Sequence, residues 1–230
     1  MPVSMEKRLR PLANLPEDKL KIHEIYASVQ GESTYAGLPC TFIRTTACNL
    51  RCTWCDTAHA FGKGDVMTSD EVFEQVSAMG PRLVELTGGE PLLQPAVFPL
   101  MTRFLDAGFQ VLLETSGSLD IGPVDSRVVK IVDFKPPGSG EVEANDWSNV
   151  SKLAPHDEIK FVVQDRVDYD WAKAMIQEHA LVGRCELLMS TVFEKLAPET
   201  LVQWIMEDGL PVRMQLQMHK YIWDPRQRGV

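Results

Sequence analysis

Seven apolar runs of strand length punctuate the chain, and their pattern constrains the fold more than any other feature. They are TFIRT (41–45), RLVEL (82–86), FQVLLE (109–114), VVKIVDF (128–134), EIKFVV (158–163), CELLMS (185–190) and VRMQLQM (212–218). They are continuous rather than alternating, the pattern of parallel strands covered on both faces. An earlier segment, KIHEIYASVQ (21–30), alternates more and reads as an outer strand. Helical patterns lie between several runs, at 68–79 and roughly at 96–107, 168–180 and 198–208. The first opens with Thr68 or Ser69 as N-cap, then Glu71, with Val72, Phe73 and Val76 at helical spacing. Connections 115–127 and 135–157 are rich in Gly, Pro and Ser and read as mostly irregular. This β–α alternation predicts an α/β fold with a parallel sheet, closed or partly closed as a barrel. An open doubly wound sheet is the competing architecture.

At 230 residues the chain is long enough for one sizeable core. Residues 21–230 are expected to form a single domain, and residues 1–20, rich in charge and proline, a surface or mobile extension without chemistry. No apolar run approaches a bilayer span and the start lacks a signal-peptide core, so the expectation is a cytoplasmic protein without a membrane partner. A net charge of −9 argues against a broad nucleic-acid surface, which needs a basic face. It leaves room for a small anionic ligand held by a few local cations.

Polar residues follow the strand runs: TGGEP after 82–86, ETSG after 109–113, DFKPP after 128–132, STVF after 185–189 and HKY after 212–218. In a parallel β/α fold these segments gather at the carboxyl ends of the strands, where active sites sit. The segment after 41–45, TACNLRCTWCDT, puts Cys48, Cys52 and Cys55 in one loop, three of the five cysteines in the chain. Thiolates are soft ligands and short spacers let one loop wrap a metal. Two readings compete. His59 could complete a structural Cys3His zinc site. Alternatively, three thiolates hold three irons of a [4Fe–4S] cluster whose fourth iron lacks a protein ligand, one fewer than the usual four cysteines. Cys40 and Cys185 read as structural.

CNLRCTWC together with TGGEP resembles the radical S-adenosylmethionine (SAM) superfamily. The resemblance implies that the open iron chelates SAM, and that electron transfer to it releases a 5′-deoxyadenosyl radical. Gly88 and Gly89 are then expected to leave space beside the SAM amino group. Over about Ile22 to Pro225, VQGES, ELTGGEPLLQ, LLETSGS, VDFKPP and QLQMHKYIW are similar to the 7-carboxy-7-deazaguanine synthase family, homodimeric members with an abbreviated barrel. That family converts 6-carboxy-5,6,7,8-tetrahydropterin into 7-carboxy-7-deazaguanine and ammonia, on the route to 7-deazapurines such as queuosine. It draws its electron from an external reductant of the flavodoxin or ferredoxin class.

The resemblance implies roles for residues. Cys48, Cys52 and Cys55 would hold the cluster. Trp54, Cys55, Asp56 and Gly89 would contact SAM, with Asp133, Phe134 and Lys135 and with Ser190, Thr191, Val192 and Phe193. Val29, Gln30, Gly31, Glu32, Arg44, Thr87, Glu114 and His219 would bind substrate. Thr57 would ligate Mg2+, whose hard-oxygen preference suits a hydroxyl and the substrate carboxylate. Arg44 also stands out unaided, because a guanidinium inside TFIRT is costly unless it faces a polar cavity. Here the chain continues RQRGV past Pro225, where some family members stop, so a terminal carboxylate at that point is not available to the pocket. Two alternatives stand beside this reading: a radical SAM activase of a glycyl-radical enzyme and a zinc-stabilised interaction module.

Overall fold

A computed structural model describes residues 3–230. Among these residues nine strands form one sheet in the order β3-β1-β2-β4-β5-β6-β7-β8-β9. They are β1 Lys19–Val29, β2 Pro39–Thr45, β3 Asp65–Thr68, β4 Leu83–Gly88, β5 Gln110–Thr115, β6 Val129–Asp133, β7 Glu158–Val163, β8 Glu186–Thr191 and β9 Arg213–Met214. From β2 to β9 every neighbouring pair is parallel, whereas β1 runs antiparallel to both β2 and β3. The two ends of the sheet do not pair, so the barrel is partial, as the abbreviated-barrel expectation requires.

Among the described residues the helices are α1 Met5–Leu9, α2 Ser69–Ser77, α3 Val97–Asp106, α4 Arg166–Glu178, α5 Pro198–Asp208 and α6 His219–Ile222. Thr68 caps α2 through a capping box: its hydroxyl accepts from Glu71 N at 3.1 Å and its N–H donates to the Glu71 carboxylate at 2.7 Å. Helices and sheet bury the main core, where Phe104 sits among Phe73 and Phe109 with ring centroids 5.1 and 5.3 Å away. Truncating a ring so buried costs about 3–5 kcal/mol.

Because side chains alternate along a strand, the other sheet face carries its own set. Low on that face Cys40, Phe42, Leu83, Leu112, Val129 and Ile131 make a small apolar floor. Two residues further along the same strands come Arg44, Glu85, Glu114 and Asp133, with Lys160 on β7 in register with Asp133. The continuous runs thus hide a polar interior above an apolar floor. The 30–38 connection between β1 and β2 folds against this face: the Thr34 amide donates to Glu158 Oε1 at 3.1 Å, and Gln110 Nε2 donates to the Tyr35 hydroxyl at 3.0 Å.

The last strand departs from expectation. Only Arg213–Met214 pair with β8, not 212–218. After Gln215 N bonds Met189 O at 3.0 Å, the chain turns away to the 30–33 loop. There Gln215 Oε1 accepts from Ser33 N at 2.7 Å and Met218 N donates to Gly31 O at 2.8 Å. His219 therefore opens α6 instead of ending a strand. The amino-terminal extension includes α1, and its Arg8 reaches the cysteine loop, donating to Asn49 O at 2.6 Å and to Glu141 Oε1 at 2.9 Å.

Candidate active site

The cysteine loop follows β2 and is fixed by backbone contacts. Ala47, at φ 77°, donates its N–H to Ala60 O at 3.0 Å and accepts from Glu90 N at 2.8 Å. That left-handed conformation is costly for alanine and persists only because its surroundings hold it. Thr53 stitches the loop to the turn after β6, through N–H to Ser139 O at 2.9 Å and hydroxyl to Gly138 O at 2.8 Å. Glu141 Oε1 takes the Arg51 amide at 2.6 Å, and Asn49 Nδ2 donates to Ser118 Oγ at 2.9 Å.

TGGE lies against this loop. A Cβ at Gly89 would collide with the Ala47 carbonyl, and one at Gly88 with Thr45. Beside the expected room for a ligand, the glycine pair has a reason within the protein: backbone seats on backbone. Fully buried Glu90 then ties this loop to ETSG, its two oxygens accepting from Thr115 Oγ1 at 2.9 Å, Ser116 N at 2.8 Å, Ser116 Oγ at 2.6 Å and Leu92 N at 3.2 Å.

Cys48 is buried, with Cys52 and Cys55 half-buried, and Leu50 N donates to Cys48 Sγ at 3.3 Å. Burial pushes the Cys48 thiol up to about 12 and raises Cys52 too. Those two thiols therefore keep their protons at neutral pH until a metal displaces them. A tetrahedral zinc with bonds of about 2.3 Å needs its sulfurs about 3.8 Å apart. Among the described residues, the set of three His, Cys, Asp or Glu donors whose ligand atoms all lie within 4.8 Å of one another is His23, Glu24 and His59. The three sulfurs do not make such a set, and His59 stands with other partners. This arrangement lends no support to the Cys3His zinc reading, and three soft thiolates in one loop suit a multi-iron cluster. SAM also finds a fit: Asp133 Oδ1, at the carboxyl end of β6, is buried without a hydrogen-bond partner, available to a ligand hydroxyl or amine.

Beside the loop lies a charged cluster. The Lys160 ammonium, on a side chain 4% exposed, pairs with the Glu114 carboxylate, with Glu32 Oε2 at 2.9 Å and with Asp133 Oδ2 at 3.8 Å. Burial opposes this charge, but the three carboxylates outweigh it and raise the Lys160 pKa well above its ordinary value. Burial likewise raises Glu32, yet Lys160 and a 3.0 Å hydrogen bond from Gln217 Nε2 hold it below the ordinary range. Glu114 is raised by burial against the pull of Lys160. Burial, reinforced by Glu114 and Glu32, pushes Glu85 well up and favours its protonated form. Neither Lys160 nor Glu85 stood out in the sequence. The criterion that singled out Arg44, a charge inside an apolar run, applies equally to RLVEL and EIKFVV.

The other expected residues divide. Arg44 faces this interior, with Nε 2.7 Å from Glu24 Oε1 and Nη2 donating to the Tyr26 hydroxyl at 2.9 Å. Thr87 lies beside it in register, and Glu114 belongs to the Lys160 cluster. His219 packs on Gly31, where a Cβ would strike its Nδ1, and burial lowers its pKa so that it is neutral at pH 7. Gln30, past Val29 at the end of β1, is committed to the protein: its Nε2 donates to Glu85 and its Oε1 accepts from Glu32 N at 2.7 Å. Gln30 thus braces the loop that carries Glu32. Asp56 is exposed and pairs with Lys220 Nζ at 3.2 Å. Thr57 Oγ1 lies 3.4 Å from Gly88 O and 3.6 Å from Cys55 Sγ, and Trp54 is half-buried in the loop.

In the DFK segment Lys135 Nζ pairs with Asp133 Oδ2 at 2.8 Å, but the Phe134 ring is fully buried against Trp147, centroids 4.3 Å apart. Phe134 can offer a cofactor only its backbone. Ser190, Thr191 and Val192 are buried, and strand alternation turns Ser190 inward and Thr191 to the helix-covered face. Phe193 is half-buried beneath the Lys220 ammonium, 5.1 Å from its ring centroid.

A radical SAM superfamily model matches residues 42–178, more than half of the chain. A 7-carboxy-7-deazaguanine synthase from Koribacter versatilis is 46% identical over 226 residues, covering 92% of this chain and 100% of that protein. The chain belongs to the 7-carboxy-7-deazaguanine synthase family. It is accordingly a radical SAM enzyme, with the [4Fe–4S] cluster and SAM that the superfamily uses. A second relative of the same name, from Chlorobaculum tepidum, is also 46% identical and covers 93% of this chain and 99% of its own. The crystal structure of QueE from Escherichia coli shares the fold at TM-score 0.67 and 21% identity, over 86% of this chain and 94% of that one.

Proposed function

We propose that this chain converts 6-carboxy-5,6,7,8-tetrahydropterin into 7-carboxy-7-deazaguanine with release of ammonia, in 7-deazapurine biosynthesis. The observation that carries the reading is near-complete coverage of family members at 46% identity. Cys48, Cys52 and Cys55 would hold the cluster, which together with SAM would supply the one-electron chemistry for removing a hydrogen atom from a substrate carbon.

The chain's own residues supply placement. Glu114 and Glu32, oriented by Lys160, present carboxylate oxygens that match the N–H donors of an aminopyrimidinone edge. Neutral His219 closes the opposite side over Gly31. Asp133 Oδ1 and the backbone of Phe134 serve SAM, with Trp54, Asp56, Gly89 and the 190–193 segment around it. Thr57 offers its hydroxyl to a Mg2+ that would also hold the substrate carboxylate, and Arg44 adds positive charge nearby. Residues 21–230 act as one catalytic domain. The working form is a homodimer that takes its electron from a flavodoxin- or ferredoxin-class reductant. No helix of the described residues is long and apolar enough to cross a membrane.

The test is anaerobic incubation with SAM, a reductant and the carboxylated tetrahydropterin, followed by mass detection of the deazaguanine acid and an ammonia assay. Product dependent on all three components is expected. Reductive cleavage of SAM without that product would assign the site to another substrate.

A further inference from the structure

We propose that His23, Glu24 and His59 form a binding site for a divalent transition metal of the zinc class, separate from the cysteine loop. Their ligand atoms lie within 4.8 Å of one another. Adjacent residues of a strand normally point to opposite faces, so His23 and Glu24 should not converge. They do so because the register slips: Ile22 faces Thr45 and Glu24 faces Arg44 on β2, leaving His23 as the extra residue of a β-bulge. Bulges re-aim side chains in this way. His59 arrives from the single turn Ala58–Phe61 that follows the cysteine loop, and the two imidazole rings meet at 5.0 Å between centroids.

The hydrogen bonds suit a metal. His23 Nδ1 is 2.8 Å from Lys63 O, and a carbonyl only accepts, so Nδ1 carries the proton and the Nε2 lone pair is free. A backbone carbonyl fixing the tautomer of a ligating histidine is the usual second contact at metal sites. His59 Nε2 is buried with no hydrogen-bond partner and sits 3.9 Å from Glu24 Oε1. Arg44 Nε holds that oxygen at 2.7 Å, which leaves Glu24 Oε2 for a metal. Two imidazole nitrogens and one carboxylate oxygen select zinc, nickel, cobalt or copper over the hard cations magnesium and calcium. A bound ion would tie β1 to the turn that ends the cysteine loop.

Anaerobic holoprotein dialysed against micromolar zinc, with zinc and iron both quantified, tests the site. About one zinc per chain is expected beyond the iron, with iron unchanged. His23→Ala, His59→Ala and Glu24→Gln should each weaken zinc binding at least tenfold at constant iron, while Cys40→Ala binds as wild type. Should a histidine variant also lose iron through misfolding, Glu24→Gln, which keeps the shape and an oxygen that can accept from Arg44 Nε, decides the matter. No zinc above background, zinc equal in wild type and Glu24→Gln, or zinc gained only as iron is lost would each overturn the proposal.

Discussion

Lys160→Met tests whether one ammonium holds the polar interior together. In the wild type it offsets Glu32 at 2.9 Å, Asp133 at 3.8 Å and Glu114 in direct contact. Methionine preserves much of the volume but leaves three carboxylates facing one another, with Lys135 on Asp133 as the nearest remaining cation. Removing one partner from a buried ion pair costs about 3–5 kcal/mol. At a urea dependence of about 3 kcal/mol per molar, that lowers the unfolding midpoint by about 1–2 M near pH 7.5. The pH dependence carries a sign. Wild-type Glu32 is held below its ordinary value, so its contribution is present above that value and is lost as pH falls through the folded pKa. Without Lys160, burial dominates and Glu32 joins Glu85 and Glu114 among the raised carboxyls. A raised carboxyl destabilises above its unfolded pKa and is relieved as it takes a proton. The variant's deficit should therefore shrink between pH 7.5 and pH 5, as followed by tryptophan fluorescence of anaerobic holoprotein in urea. A deficit under about 1 kcal/mol, or one that grows toward acid, refutes the reasoning.

Cys48→Ala, Cys52→Ala and Cys55→Ala should each abolish activity and the iron-dependent visible absorbance, whereas Cys40→Ala and Cys185→Ala keep most of both; iron content per chain decides. Gly89→Ala drives a methyl into the Ala47 carbonyl. Its iron retention after desalting should fall severalfold while far-ultraviolet circular dichroism stays near wild type. Arg8→Ala removes hydrogen bonds to Asn49 O and Glu141, a loss of about 1.5–3 kcal/mol for a charged donor. Its cluster should bleach faster in air, read as the decay of visible absorbance. Thr57→Val removes a hydroxyl, and activity titrated with Mg2+ should lose its magnesium response; an unchanged response rules out this ligand.

The parallel strands were legible because buried β/α strands leave long apolar stretches, and α2 because Thr68 and Glu71 spell out its cap. The final strand was not. VRMQLQM has the composition of a strand, but bonds from Ser33 and Gly31, nearly the whole chain away in sequence, draw it off the sheet. The cysteine loop and TGGEP announced the metal centre, while the backbone contact of Gly89 with Ala47 is one that no spacing reveals. Phe134 shows the limit of motif transfer, since its neighbours Asp133 and Lys135 line the interior while its own ring enters the core. The bulge at His23 did leave a trace, since Leu20, Ile22 and Ile25 all face the main core and the spacing of three between Ile22 and Ile25, with His23 and Glu24 between them, breaks the period of two.

The carboxyl-terminal segment clasps the 30–33 loop and the cysteine loop, through Gln215 on Ser33, Gln217 on Glu32, Met218 on Gly31 and Lys220 on Asp56. Each of these contacts joins residues far apart in sequence, so the clasp forms only once the two halves of the fold have met, and the loop closure it requires is among the most costly in the chain.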